Sequence, residues 1–358
     1  LKRKKDRQLN CDILHWSAMN ATLRRYGTAF LEPKSSDTLC VMFLDDAKYS
    51  IVGSKMEWPP ELWFEYEKEK IVAYKKLIII NILGRLQGFS KRLQEILPDL
   101  EIQVYDVPEI SWSHFAREVK EQHEKNNTIK KDKCIWSSIG VMRLNRFVFL
   151  QVMHDNLANI CYPSMSQDKF NHLCYEVEKI SESKFGSVAK IPLQGKRVFG
   201  KVKPHEFNIL ARKNVQSSLF NICATQPCVD YYVQRHDEKF FTSVCDEVIP
   251  IFLNEPNANK ESILGFKSYN LQSIQFENES NPVMRWKRIL ESNKEALTNF
   301  DFGKSVYESN IETIKNNKAV LYDTDWKKLA NNKIQELPSS IIDIVNSTNM
   351  KEALLYVY

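Results

Sequence analysis

Leu77-Ile78-Ile79-Ile80-Asn81-Ile82-Leu83 is the longest strongly apolar block of the chain, and the fold turns on how it is read. Isoleucine is β-branched and stiff at χ1, which suits a central strand. Seven residues fall far short of the roughly 20 needed to cross a bilayer. The block also sits inside a longer pattern. Leu62, Tyr66, Ile71, Tyr74, Ile78, Ile82, Leu86, Phe89, Leu93 and Ile96 recur mostly at steps of three and four, the helical period. Pro59-Pro60 would open such a helix and Pro98 would end it. Unbroken, it would run nearly 60 Å at about 1.5 Å per residue. Gly84 and Gly88 favour a break, so the region reads as two helices meeting near Gly84 and Gly88, with the isoleucine run eligible as a strand.

Outward from this block, 36–43 reads as a strand leading into Asp45-Asp46, and 100–106 alternates as a second strand. Residues 111–123 form an amphipathic helix capped by Ser111 or Ser113. A strand at 146–153, a turn at Asp155-Asn156 and an apolar run at 157–161 make a hairpin. Helical spacing returns at 167–181, followed by short β-like pieces at 188–193 and 197–202. Residues 204–253 read as helical, 263–276 as a loose hairpin and 283–300 as a helix. Short helices and a strand-like 354–358 close the chain. No internal repeat or low-complexity tract is apparent. Polar stretches at 126–133 and 254–261 mark boundaries, giving regions 1–128, 129–255 and 256–358. The order is not a regular β-α-β-α alternation. The expected class is therefore α+β: mixed helices and short antiparallel sheets in two small packed domains, rich in helix.

Composition narrows the function. Of 358 residues, 43% are hydrophobic and 27% charged, with a net charge of +5, an ordinary globular balance. Glycine is scarce: 10 residues, less than half the usual share of about 7%. Phosphate-cradling loops and nucleophile elbows consume glycine, and no complete motif of either kind occurs. The chain leans away from nucleotide-dependent and hydrolase-type enzymes, and no cofactor is called for. Eight cysteines, mostly in apolar runs, read as small buried hydrophobes in a reducing, intracellular setting. The opening Leu1-Lys2-Arg3-Lys4-Lys5 has no apolar run behind it. It reads equally as a nuclear localisation patch or as the solvated edge of a truncated chain. The nucleus is favoured, with the mitochondrial matrix and cytoplasm as alternatives.

Candidate chemistry is sparse. Cys223, Cys228, His236 and Cys245 offer a loose zinc-like spacing, weighed against three core cysteines and a surface histidine. Asp45-Asp46 and Asp323-x-Asp325 are carboxylate pairs that also read as solvated turns. Basic clusters recur more often. In the cluster Lys196, Arg197, Lys201 and Lys203, the last three would share a strand face with Phe199, and Arg285, Lys287 and Arg288 surround Trp286. Lysine and arginine neutralise phosphates, and aromatics stack on bases. Trp58, Trp63 and Phe64 crowd one region as either core or interface anchors. The first expectation is a non-enzymatic subunit of a nucleic-acid-handling complex, DNA or RNA, with other protein subunits as partners. A protein-protein scaffold docking through 58–97 is the alternative, and a metal-dependent nuclease or transferase the third.

Overall fold

The structure, a computed structural model, describes residues 4–6, 11–14, 39–44, 64–65, 68–81, 85–86, 88–122, 130–137, 213–223, 232–233, 238–252, 264–271 and 282–347. The chain divides into two units. One holds Leu1–Glu118, Tyr231–Arg235 and Asp325–Tyr358; the other holds Val119–Asp230 and His236–Thr324.

In the first unit the isoleucine block is a strand, β4 (Lys76–Asn81). Leu77 through Asn81 are buried on both alternating faces. A strand covered on both sides needs a continuous apolar run, which is the signature of a parallel sheet. β1 (Lys4–Asp6), β2 (Cys11–Leu14), β3 (Leu39–Leu44) and β6 (Glu101–Asp106) complete a five-stranded sheet in the order β1-β2-β3-β4-β6. β2, β3, β4 and β6 run parallel, and only β1 is antiparallel to its neighbour. A separate short antiparallel pair joins β5 (Arg85–Leu86) to β9 (Tyr232–Val233).

The connection from β4 to β6 carries helix α2 (Phe89–Ile96); the shorter α1 (Lys68–Ile71) precedes β4. Gly88, at φ 69°, sits at the amino end of α2 in the left-handed region that glycine tolerates. Phe89 and Leu93 face inward, and Phe89 meets Phe64 edge-to-face at 6.1 Å. The Gln94 side chain closes the far end by donating to the carbonyls of Leu97, Pro98 and Leu100 at 3.0–3.1 Å. Helix α3 (Glu109–Gln122) follows β6 directly. At the carboxyl end of the chain, α9 (Trp326–Gln335) starts on Asp325, whose carboxylate accepts from Lys328 N at 2.9 Å. α10 (Ser339–Ser347) follows.

The second unit holds a three-stranded sheet, β10-β8-β7, made of β7 (Lys133–Ser137), β8 (Ser218–Cys223) and β10 (Ile249–Phe252), all parallel. Helix α4 (Glu238–Cys245) links β8 to β10. Pro250 is compatible with β10 because β10 is an edge strand. Phe240, Phe241 and Phe266 form a mutually edge-on cluster with centroids 5.1–6.1 Å apart. Inside it, Asn221 donates to Ser243 Oγ at 2.8 Å, and Ser243 donates to Lys239 O at 2.6 Å, pinning α4 to β8. Helices α5 (Pro282–Ser292), α6 (Lys294–Thr298), α7 (Phe300–Ser309) and α8 (Ile311–Asp323) complete the unit. Gly303 of α7 packs so close to α6 that a Cβ there would run into the Ala296 carbonyl oxygen.

Four expectations are corrected. The chain is helix-rich as expected, but its two main sheets are parallel, not antiparallel. The region 58–97 is neither one long helix nor two helices meeting near Gly84 and Gly88: residues 76–81 form the strand for which the isoleucine run is eligible, between the short α1 and α2. Within 77–83, where every residue but Asn81 is apolar, steps of three and four arise whatever the structure, so there the period carried little information. Within 204–253 the described residues are not one helical stretch: 213–216 are helical, but β8, the short β9, α4 and β10 follow. By contrast, the strand at 100–106 and the helices between 283 and 347 form much as their patterns dictate. Residues 264–271 make a turn and an irregular strap rather than a hairpin arm. The hairpin over 146–161, the helix at 167–181, the β-like pieces at 188–202 and the terminal 354–358 lie outside the described residues.

Candidate functional site

Parallel α/β sheets place their ligands beyond the carboxyl ends of the strands, because the loops and helix amino termini converge there. In the first unit that edge is set by register: Leu44 lies beside Asn81, and Asn81 beside Asp106. Asn81 is fully buried, and its Nδ2 donates to Asp106 Oδ1 at 2.6 Å. A bond to a carboxylate this short is charge-assisted. It fixes the Asn81 amide and aims it along the edge. The backbone follows suit, with Val107 N donating to Asn81 O at 2.8 Å. Asp106 itself is exposed. Leu44 immediately precedes Asp45-Asp46 in the sequence, and those two aspartates lie outside the described residues. At the opposite edge, Lys76 pairs with Glu101 at 2.6 Å.

Beyond Asp106 the chain turns straight into α3. Ser113 is not the cap of this helix, which begins at Glu109; it lies inside, 2% exposed, and its hydroxyl has no hydrogen-bond partner among the described residues. The neighbouring His114 has Nε2 3.4 Å from a Glu118 carboxylate oxygen. Burial, and secondarily Arg117, push its pKa down from 6.5 to about 3. The imidazole is therefore neutral at physiological pH, and the contact with Glu118 is not an ion pair there.

The second unit is finished at the other edge. The carboxyl ends of β8 and β10 are apolar, with Ile222, Cys223 and Phe252 all buried, while β7 ends at Ser137. Its amino ends carry the polar network. Lys131 Nζ donates to Gln216 O at 2.8 Å and Asp246 O at 3.0 Å, and lies 5.9 Å over the Tyr307 ring. Gln216 donates to Asp246 Oδ1 at 3.0 Å, and Lys318 pairs with Glu247 at 2.6 Å. Burial drives the Lys131 pKa from 10.5 down to about 8; Asp246 and Glu247 oppose the shift and Lys318 adds to it.

The sequence candidates land as follows. Lys287 and Arg288 are exposed neighbours on α5, whereas Arg285 is 1% exposed and Trp286 fully buried, both turned into the core. Phe64 is fully buried against Phe89 and serves packing. Cys223 and Cys245 are buried, and Cys245 Sγ contacts the Tyr322 hydroxyl at 3.1 Å. Among the described residues no group of three or more metal-ligating side chains forms. Lys196, Arg197, Lys201, Lys203, Trp58, Trp63, Cys228 and His236 lie outside the described residues. Among the described residues no helix is long and apolar enough to cross a membrane. Sequence reasoning missed the Asn81–Asp106 pair. The signal was a polar residue closing an apolar strand in each of two successive β-like runs, Asn81 and Asp106, and it becomes readable only once the strands are known to be parallel.

No protein-family model matches this chain, and no curated protein matches it either.

Proposed function

We propose that this protein is a subunit of an intracellular, preferentially nuclear, nucleic-acid-handling complex that holds phosphate backbone through its basic clusters. The observation that carries the reading is the paired exposure of Lys287 and Arg288 on α5, an element anchored from behind by buried Trp286, Ile289 and Leu290. Lys287 reaches Glu291 only at 4.0 Å, with both side chains about half exposed. Such a pair is worth little in water and yields readily to a phosphate. In the sequence, the cluster Lys196, Arg197, Lys201 and Lys203 adds further cations of the same chemistry. Binding of this kind releases counterions and reads little sequence.

The test is fluorescence anisotropy with single-stranded and duplex RNA and DNA over a salt series. Affinity should fall steeply with salt. Replacing Lys287 and Arg288 by Ala should flatten the log–log slope by roughly 0.7–0.9 per lost contact, as should Arg197→Ala with Lys201→Ala and Lys203→Ala. Absence of binding at low salt overturns the proposal.

A metal-dependent nuclease or transferase is the second reading. It is favoured by the Asn81–Asp106 pair at a parallel-sheet carboxyl edge, beside the strand that precedes Asp45-Asp46. Mg2+-dependent cleavage or transfer that disappears in Asp106→Asn would put it first. The docking scaffold loses ground, since Phe64 belongs to the core.

A further inference from the structure

In the second unit, α6, α7 and the strap 264–271 enclose an open cavity of about 270 Å³. Its lining combines apolar Leu271, Ala296, Phe302 and Val306 with polar groups that include the exposed Glu295 and Asn270. Phe302 is 42% exposed, one of three large hydrophobics among the described residues that stay so accessible. The Glu295 carboxylate has no ion pair or hydrogen bond among the described residues, and it is the one charged group of the lining.

The cavity is held in shape by its surroundings. Two buried asparagines of α7–α8 clamp the strap as a neighbouring β-strand would. Asn310 accepts from Asn270 N at 2.7 Å and donates to Asn270 O at 3.3 Å. Asn317 does the same for Lys267, at 2.7 and 2.9 Å. The clamps occupy the backbone of Asn270 and leave its side-chain amide without a partner among the described residues. On the other side Gly303 lets α7 lie directly on α6, which fixes Phe302 and Val306 relative to Glu295. Preformed concavity, an apolar wall and a few convergent polar groups define a small-ligand site.

We propose that this cavity binds a small organic cation: a primary ammonium carried on a compact apolar body. The ammonium meets Glu295 and the Asn270 amide oxygen, and the body covers Phe302, Val306 and Leu271. A neutral molecule of the same shape would gain nothing from the exposed carboxylate, and an anion would be repelled by it. A face-on position over Phe302 would add attraction for the cation.

The probe is 2-phenylethylammonium chloride, titrated into the full chain by calorimetry and by saturation-transfer NMR. Neutral 2-phenylethanol and ring-free ethylammonium serve as controls. So small a ligand should saturate with a Kd in the range of roughly 0.1–10 mM. Both controls should bind at least threefold more weakly. Glu295→Gln, a surface change that spares the fold, should weaken the ammonium at least threefold and leave the alcohol unchanged. Phe302→Ala should weaken both phenyl compounds. No saturable binding to the native chain overturns the proposal, as does binding that Glu295→Gln leaves untouched. Circular dichroism of each variant separates loss of the site from loss of the fold.

Discussion

In the first unit the buried polar side chain sits at the carboxyl ends of the parallel strands, where Asn81 holds Asp106; in the second, the polar groups gather at the amino ends, around Lys131, Gln216 and Asp246. Both sheets are parallel, and their strands need apolar side chains on both faces. Polar groups are therefore favoured at the ends, buried Asn221 within β8 being satisfied by Ser243 instead, and which end receives them decides what each sheet can do. A carboxyl edge gathers helix amino termini and is where an α/β sheet can act on a ligand. An amino edge with a lysine bonded to two backbone carbonyls is a fastening: it ties the entrances of β7 and β8 to the turn before β10. The first unit therefore carries the better candidate for chemistry, and the second carries rigidity and surface.

That contrast can be broken in measurable ways. The largest effect is expected at the close packing of the second unit. Gly303→Val drives new atoms into the Ala296 carbonyl oxygen and Phe220, and should cost about 3 kcal/mol in denaturant unfolding. The two buried bases should then give the units pH responses of the same sign in separate windows. His114 titrates near 3 folded against 6.5 unfolded. As pH falls from about 6.5 toward 3, the unfolded chain takes up a proton that the folded chain refuses, and stability is lost. Between pH 6.5 and 5 this is about 2 kcal/mol, and His114→Gln should remove it. Lys131 titrates near 8 folded against 10.5 unfolded. Its burial penalty is present in full below about pH 8, and stability climbs as pH rises from about 8 to 10.5. The climb should be on the order of 2 kcal/mol, and Lys131→Met should flatten it. The smallest effect is expected at the carboxyl edge of the first unit. Asn81→Ala should cost only about 1–2 kcal/mol, since the exposed Asp106 can turn to water. If Asn81→Ala instead proves as costly as Gly303→Val, that edge is a structural fastening too, and the contrast between the two sheets falls.

The nucleic-acid proposal rests on neither sheet. It rests on exposed helix positions, where a lysine or arginine is legible in the sequence but its neighbours are not. Arg285 shows the difficulty. In the string Arg285-Trp286-Lys287-Arg288 all three cations look equivalent, yet the helical turn sends Arg285 inward with Trp286 and leaves Lys287 and Arg288 outside. The sequence could not tell which, because the choice depends on what α5 packs against.

By itself the sequence determined a good deal. The alternation of 100–106, the helical spacing after 283 and the proline after α2 specify local elements through contacts within a few residues, and those elements form. The β-branched run at 78–80 was enough to make a strand there possible. Only the tertiary structure decided that this strand is central, that both main sheets are parallel, and that Asn81 and Asp106, 25 residues apart, become neighbours. Strand direction and register are set by pairing between distant segments and by what covers each face. A one-dimensional pattern records how a strand is buried but not which strand lies beside it.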